Sequence, residues 1–415
     1  MISRVSLCTF GATLVLMLLG CAGLPVSGAI GGRAIETRVD SEVARYYLAN
    51  YLSGKHGDPP LDTRIDRVYQ RANDSLPNRD DLKKLSDDFS VDFAALYLAN
   101  EIARVPANAW FATAFQQAYE YAREVFPQGQ MKVPGAADYD VLFVPTYLYK
   151  RFGSFTGADM AAPRAALQKV GFTCYFVETI DDAPVELNAE IVMAAIHARA
   201  TSGRQLIVVS ASKSGAEVAL ALTRLGPANT RHVAAWINAV GALQGTPTVD
   251  DHLLPDFQLL TGKIDPAGPA SMAIGPSRQR FNSFNIPRTV LVVNYFGIPA
   301  IGDVSFFGRK AYSRLRKYGP NDGVLLLGDM IFPGGVTLTR LGSDHMGMNN
   351  HIDLATIALA MSVIEWLQNR DQMSRIFGHS SETTRPGGDV STVERAPVER
   401  QKNIDDAVSP GSATR

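Results

Sequence analysis

Leu206-Ile-Val-Val-Ser-Ala-Ser-Lys-Ser-Gly-Ala216 decides how the chain folds. An apolar run ends abruptly in small residues, and a helix-compatible stretch rich in Ala and Leu follows. A strand that turns sharply into a helix needs small side chains at the turn, because the two elements approach closely there. Such a turn lifts the residue at its apex, here Ser212, into a position from which a hydroxyl can attack. Glycines usually stand two residues to either side. Here those places hold Ser210 and Ser214. Serine is the smallest residue after glycine and alanine, and Gly215 follows directly.

Outward from this turn, strands and helices alternate. Tyr139 to Pro145 reads as an apolar strand and Ala161 to Val170 as a helix. Phe172 to Val177 is the next strand and Asn188 to Ala200 the next helix. Gln205 to Val209 and Ala216 to Leu222 form the pair around Ser212; strands follow at His232 to Val240 and Thr289 to Phe296. Asp353 to Leu367, apolar on several faces, is a packed terminal helix. Short apolar strands separated by helices of this length predict an α/β fold, a mostly parallel sheet covered on both faces. Its ligand site belongs at the C-terminal ends of the strands. The alternation spans residues 138–368, with an insert or lid at 241–287 containing Leu253-Leu-Pro-Asp-Phe-Gln-Leu-Leu260. Residues 40–137 read as a helical N-terminal region, with amphipathic segments around Val43 to Tyr51, Phe93 to Ile102 and Trp110 to Tyr121.

The two ends read differently. Residues 1–21 resemble a bacterial lipoprotein signal: Arg4, an apolar stretch from Phe10 to Leu19, then Leu18-Leu19-Gly20-Cys21. The stretch is short for a membrane-spanning helix. Lipidation at Cys21 would anchor the chain in the bacterial envelope while leaving its domain outside the bilayer. Ala22 rather than Asp after Cys21 points to the outer membrane, facing the periplasm, if the cell is Gram-negative. Residues 22–39 read as a linker and 369–415 as a tail rich in Ser, Thr, Pro, Gly and charge, too polar to bury. With Cys8 in the signal and Cys21 lipidated, Cys174 has no disulfide partner and reads as a buried hydrophobe.

Formal net charge is −1 over 415 residues, which gives no overall field to draw in nucleic acid. The basic run Arg309 to Lys317 reads as the solvated face of a short helix. No His-Glu-x-x-His and no dense His/Asp cluster suggests a metal. No Gly-x-Gly-x-x-Gly after a strand suggests a dinucleotide. The expected cofactor list is therefore empty, and the sequence sets no oligomeric state.

Attack on a carbonyl needs a nucleophile, a base within hydrogen-bond reach and an acid that orients the base. Ser212 suits the first role. Gly342-Ser-Asp-His-Met-Gly-Met348 places His345 in a loop before the terminal helix. His351 stands at the helix entrance, His197 and His232 lie within regular elements, and His252 is a weak alternative. For the acid, Gly319-Pro-Asn-Asp-Gly323 holds Asp322 in a tight turn, and Asp329 after Leu325-Leu-Leu-Gly328 competes with it.

The order Ser212, Asp322, His345 resembles that of α/β-hydrolases. More narrowly, Asn321-Asp-Gly323 followed by Asp344-His345 resembles bacterial true lipases. That resemblance implies Asp322 as catalytic acid and His345 as base, 23 residues apart. It also implies an oxyanion hole built from the backbone N–H of Lys213 and one from Val144-Pro-Thr-Tyr147. Pro145 has no N–H, which leaves Thr146 or Tyr147. The departures from the family are Ser210, Ser214 and the Val-Pro-Thr-Tyr loop. The function expected is hydrolysis of a small-molecule or lipid carboxylic ester through an acyl-enzyme. Amidase, thioesterase and acyltransferase chemistry share the machinery. The other class is a non-catalytic envelope binding or structural protein on a hydrolase scaffold.

Overall fold

The structure is a computed structural model that describes residues 23–71, 75–250, 264–370 and 372. The signal segment with Cys21, His252, the Leu253 to Leu260 stretch and nearly all of the 369–415 tail lie outside the described residues.

Residues 24–39 form a β-hairpin where a linker was expected. β1 (Leu24–Ile30) and β2 (Arg33–Val39) pair antiparallel, closed by Gly31 and Gly32 at φ 55° and 74°. A two-residue turn with both central residues at positive φ matches the twist of its strands, and glycine reaches that region without strain. Five helices follow: α1 (Glu42–Ala49), α2 (Pro59–Arg71), α3 (Arg79–Asp88), α4 (Val91–Arg104) and α5 (Pro106–Val125). Side-chain caps mark several of their starts. Ser41 accepts from the Ala44 amide, Ser90 from that of Phe93, and Asn78 with Asp81 forms a capping box.

The alternating region builds one six-stranded sheet. Its strands are β3 (Tyr139–Val144), β4 (Thr173–Phe176), β5 (Gln205–Ala211), β6 (Val233–Ala239), β7 (Leu291–Ile298) and β8 (Val336–Leu341). They lie in the order β4-β3-β5-β6-β7-β8, every neighbouring pair parallel. All six residues of β3 are buried, the pattern of a strand covered on both faces. Val141 and Phe143 face one apolar cluster, which also takes in the N-terminal helices. Leu142 and Val144 face the other. Between the strands run α6 (Tyr149–Thr156), α7 (Ala161–Lys169), α8 (Val185–His197), α9 (Lys213–Asn229), α10 (Ile274–Ser283) and α11 (Arg309–Leu315). α12 (Ile352–Gln368) closes the chain against α5, where Trp110 and Trp366 meet edge to face with centroids 5.3 Å apart. This is the architecture of an α/β-hydrolase, preceded by a helical extension.

Three local features bear on the sequence reading. Leu325 to Gly328, apolar enough to be a short strand before Asp329, is not one: Leu327–Met330 is a 3-10 turn. Cys174 lies on edge strand β4 and is only half-buried; burial pushes its thiol up to about 12. The run Arg309 to Lys317 is helical, but Arg316 is not merely solvated. It donates to Asp40 at 2.7 Å and ties the N-terminal region to the turn after α11.

Candidate active site

Because the strands are parallel, the loops after β3, β5, β6, β7 and β8 emerge on one edge of the sheet, where ligands bind in open α/β folds. Ser212 stands there between β5 and α9 at φ 51°, ψ −123°. A non-glycine residue in that region carries strain of about 1–3 kcal/mol, which the surroundings must hold in place. They do so through its own backbone. The Ser212 amide donates to Ala239 O at 3.0 Å, and its carbonyl accepts from Gly215 at 3.0 Å and Ala242 at 2.9 Å.

The two serines that replace glycines are built into this turn. Ser210 is fully buried and its Oγ accepts from the Trp236 indole at 2.8 Å. Ser214, also fully buried, accepts from the Ala211 amide at 2.9 Å. Its hydroxyl donates toward Val144 O at 2.9 Å or Ala211 O at 2.8 Å. It therefore joins the end of β5 to the end of β3. The close approach of strand and helix falls instead on Gly215. A Cβ there would lie 2.6 Å from Asn238 Oδ1 and 2.9 Å from Gly241 Cα, so glycine is required one position later than expected.

Lys213 opens α9. Among the described residues its backbone N–H has no carbonyl partner, as expected for the first amide of a helix. Its side chain is buried and ion-pairs with Glu217, which also accepts from Asn188 Nδ2 at 2.9 Å. In the loop after β3, the Thr146 amide donates to Ala158 O at 3.1 Å. An anion at this loop would therefore share that amide or take its hydrogen bond from Tyr147. Leu148 next to them adopts φ 58°.

The structure brings Asp322 and His345 together. His345 Nδ1 lies 2.7 Å from Asp322 Oδ2, and the His345 amide donates to the Asp322 carbonyl at 2.8 Å. Asp322 is 1% exposed, and its Oδ1 accepts from the amides of Val324 at 2.9 Å and Leu325 at 2.7 Å. The carboxylate is thus solvated by the protein, with one oxygen held by the turn and one facing the imidazole. Burial depresses the His345 pKa, but the charge and hydrogen bond of Asp322, with Asp344 adding, outweigh it and the net shift is upward. Nε2 is left without a hydrogen-bond partner among the described residues, as is the Ser212 hydroxyl.

Asp329 points elsewhere. It is fully buried and ion-paired with Arg79 at the start of α3. His232 Nε2 lies 3.0 Å from Ile196 O, and His351 caps α12 at φ 53°. Sequence reasoning missed the part played by Asp344. Its two oxygens accept from Gly347 at 2.7 Å and Ser305 at 2.8 Å, which fixes the curve of the His345 loop. The Asp-His-Met-Gly spelling held that signal, a carboxylate bonded to the amide three residues on. Thr246 Oγ1, donating to Val324 O at 2.5 Å, ties the loop after β6 to the Asp322 turn. Among the described residues no group of three or more His, Cys, Asp or Glu side chains is arranged to hold a metal.

No protein-family model matches the chain. No curated protein matches it either. Solved structures do. A metagenomic carboxyl esterase aligns at 18% identity and a TM-score of 0.46, covering 58% of this chain and 78% of its own. The mature form of a Bacillus licheniformis lipase aligns at 18% and 0.42, covering 58% and 94%. Phospholipase PlaB from Legionella pneumophila, in complex with thio-NAD, aligns at 12% and 0.43, covering 58% and 63%. Likenesses this distant leave function to be argued from the residues of the site.

Proposed function

We propose that the protein is a serine hydrolase of carboxylic esters, with Ser212 as nucleophile, His345 as base and Asp322 as the acid that orients it. The observation that carries the reading is the Asp322–His345 hydrogen bond on the same sheet edge as a strained serine at a strand–helix turn. His345, its tautomer fixed by Asp322, takes the Ser212 proton through Nε2 as the serine attacks the carbonyl carbon. The Lys213 amide, with Tyr147 or Thr146, stabilises the oxyanion, at about 3 kcal/mol per donor. The alcohol leaves with the proton from His345. Water, deprotonated by His345, then attacks the acyl-enzyme, and Ser212 departs protonated as the acid is released. The Ser212–His345 hydrogen bond would tighten in the substrate complex, since catalytic hydrogen bonds are commonly long in free enzymes.

The surroundings favour a lipophilic ester. Phe306 and Phe307 are 78% and 81% exposed beside Ser305, whose amide holds Asp344. Phe155, 82% exposed, adjoins Thr156, whose carbonyl accepts from Asn349 at 2.8 Å. We further propose lipid anchorage through Cys21 at the bacterial envelope, on the strength of the N-terminal sequence alone. Among the described residues no helix is long and apolar enough to cross a membrane.

Hydrolysis of p-nitrophenyl esters of short and medium chain length tests the activity. The wild type should show a burst and steady turnover, and Ser212→Ala should reduce both at least a thousandfold. Equal rates for the two proteins would leave the scaffold reading, a binding protein without turnover.

A further inference from the structure

A concavity lies in the helical extension, lined by none of the residues around Ser212. It is a groove of about 510 Å³ between α2, α3 and the start of α4, within the range that holds small ligands. Its inner wall is apolar: Val68, Leu85, Phe89 and Tyr97. Tyr97, the innermost of these, is 3% exposed.

Around that wall stand Arg64, Arg67, Arg71 and Lys84, against two carboxylates, Asp81 and Asp88. Some of these groups are already committed. Arg64 donates to Asp88 O at 3.0 Å and lies over the Phe89 ring at 4.7 Å. Asp81 accepts from the Asn78 amide in the capping box of α3. Arg67, Arg71 and Lys84 have neither ion pair nor hydrogen bond among the described residues. Lys84 and Asp88 are four apart on α3 yet unpaired, unlike Lys83 and Asp87 beside them. Three uncommitted cations therefore converge on a groove with an aromatic and aliphatic wall.

We propose that this groove binds a soluble single-chain amphiphile with an anionic head. The head would sit among Arg67, Arg71 and Lys84, where guanidinium and ammonium donors make charge-assisted hydrogen bonds to carboxylate or phosphate oxygens. The alkyl chain would cover Leu85, Phe89 and Tyr97 and remove apolar surface from water. The proposal does not depend on the esterase reading.

Calorimetric titration of the full chain with octyl phosphate, held below its micellar concentration, tests it. Octyl phosphate should saturate one site, and Arg67→Ala/Arg71→Ala should weaken it about tenfold or more. Both arginines are exposed, and circular dichroism should show the double variant folded as the wild type. Lys84→Glu should weaken binding likewise. Inorganic phosphate, the head alone, should bind more weakly, and octyltrimethylammonium, the same chain on a cation, should give no saturable heat. Three results would overturn the proposal: unchanged affinity in the arginine double variant, equal binding of the cationic amphiphile, or binding to phosphatidylglycerol vesicles with none to monomeric octyl phosphate. The first would also report an octyl phosphate bound at the Ser212 site instead.

Discussion

Replacing Ser214 tests whether the serine is a structural part of the elbow or a tolerated stand-in for glycine. Its hydroxyl is fully buried, accepts from the Ala211 amide and bonds to a carbonyl at the end of β3 or β5. Ser214→Ala leaves one buried donor and one buried acceptor without that partner. At about 1–3 kcal/mol for each orphaned group, the loss should be about 3 kcal/mol. Unfolding entropy is about 2.1 cal/mol/K per residue, or roughly 0.9 kcal/mol per degree for a chain this size, so melting should fall by about 3 °C. Ser214→Gly should lose up to about 1 kcal/mol more, since glycine in a helix adds backbone entropy to the unfolded chain. Both variants should also turn over ester about tenfold more slowly at little change in KM, because the hydroxyl ties the Ser212 turn to the loop carrying Thr146 and Tyr147. Thermal melts and steady-state kinetics read both effects. A Ser214→Gly protein as stable and as fast as the wild type would refute the structural role.

Two further perturbations separate the buried carboxylates. Asp322→Asn should cut kcat by about three to four orders of magnitude, by leaving the imidazole without the partner that fixes its tautomer. It should also move the acid limb of kcat/KM to lower pH: the wild-type limb lies above 6.5 because Asp322 raises His345, and without that charge burial dominates. Asp329→Asn should instead leave kcat within a few-fold and cost about 3 kcal/mol of stability, since it strands Arg79 without its ion-pair partner; a larger catalytic loss at Asp329 would reverse the assignment. At the base of the helical extension, burial and neighbouring Asp40 push Asp92 up to about 7. A carboxyl whose folded pKa lies above its unfolded value stabilises the protein at low pH and loses that contribution as pH rises through the folded value. Urea unfolding should therefore show stability falling between pH 4 and 8 by as much as about 4 kcal/mol, at about 1.4 kcal/mol per unit, and Asp92→Asn should flatten the fall.

Five of the six strands were legible because each is a short apolar run between breakers; β8 was missed, because Thr337, Thr339 and Arg340 interrupt its apolar residues. β3 is buried residue by residue, and β5 is over Leu206 to Ser210. The hairpin at Leu24 to Val39 carried its own signal in Gly31-Gly32, but Ser27, Arg33, Glu36 and Arg38 gave its strands a polar cast that reads as linker. The pairing of Asp322 with His345 followed from order along the chain and from the family resemblance. What stayed hidden was made in space. Ser214 reaches Val144 70 residues away, and Asp344 reaches Ser305 39 residues away. Glycine was expected at 210 or 214, whereas the contact that demands it falls at Gly215, against Asn238 and Gly241 on the next strand's loop. No local pattern encodes which turn residue meets the neighbouring strand.

Covalent capture of Ser212 is the most direct test of the central claim. The folded full chain, treated with a fluorophosphonate and mapped by mass spectrometry, should carry one adduct on Ser212. His345→Ala should slow labelling by at least about a hundredfold, the loss expected when a general base is removed. A folded wild-type protein that takes no adduct at Ser212, or that labels as fast without His345, would contradict the account.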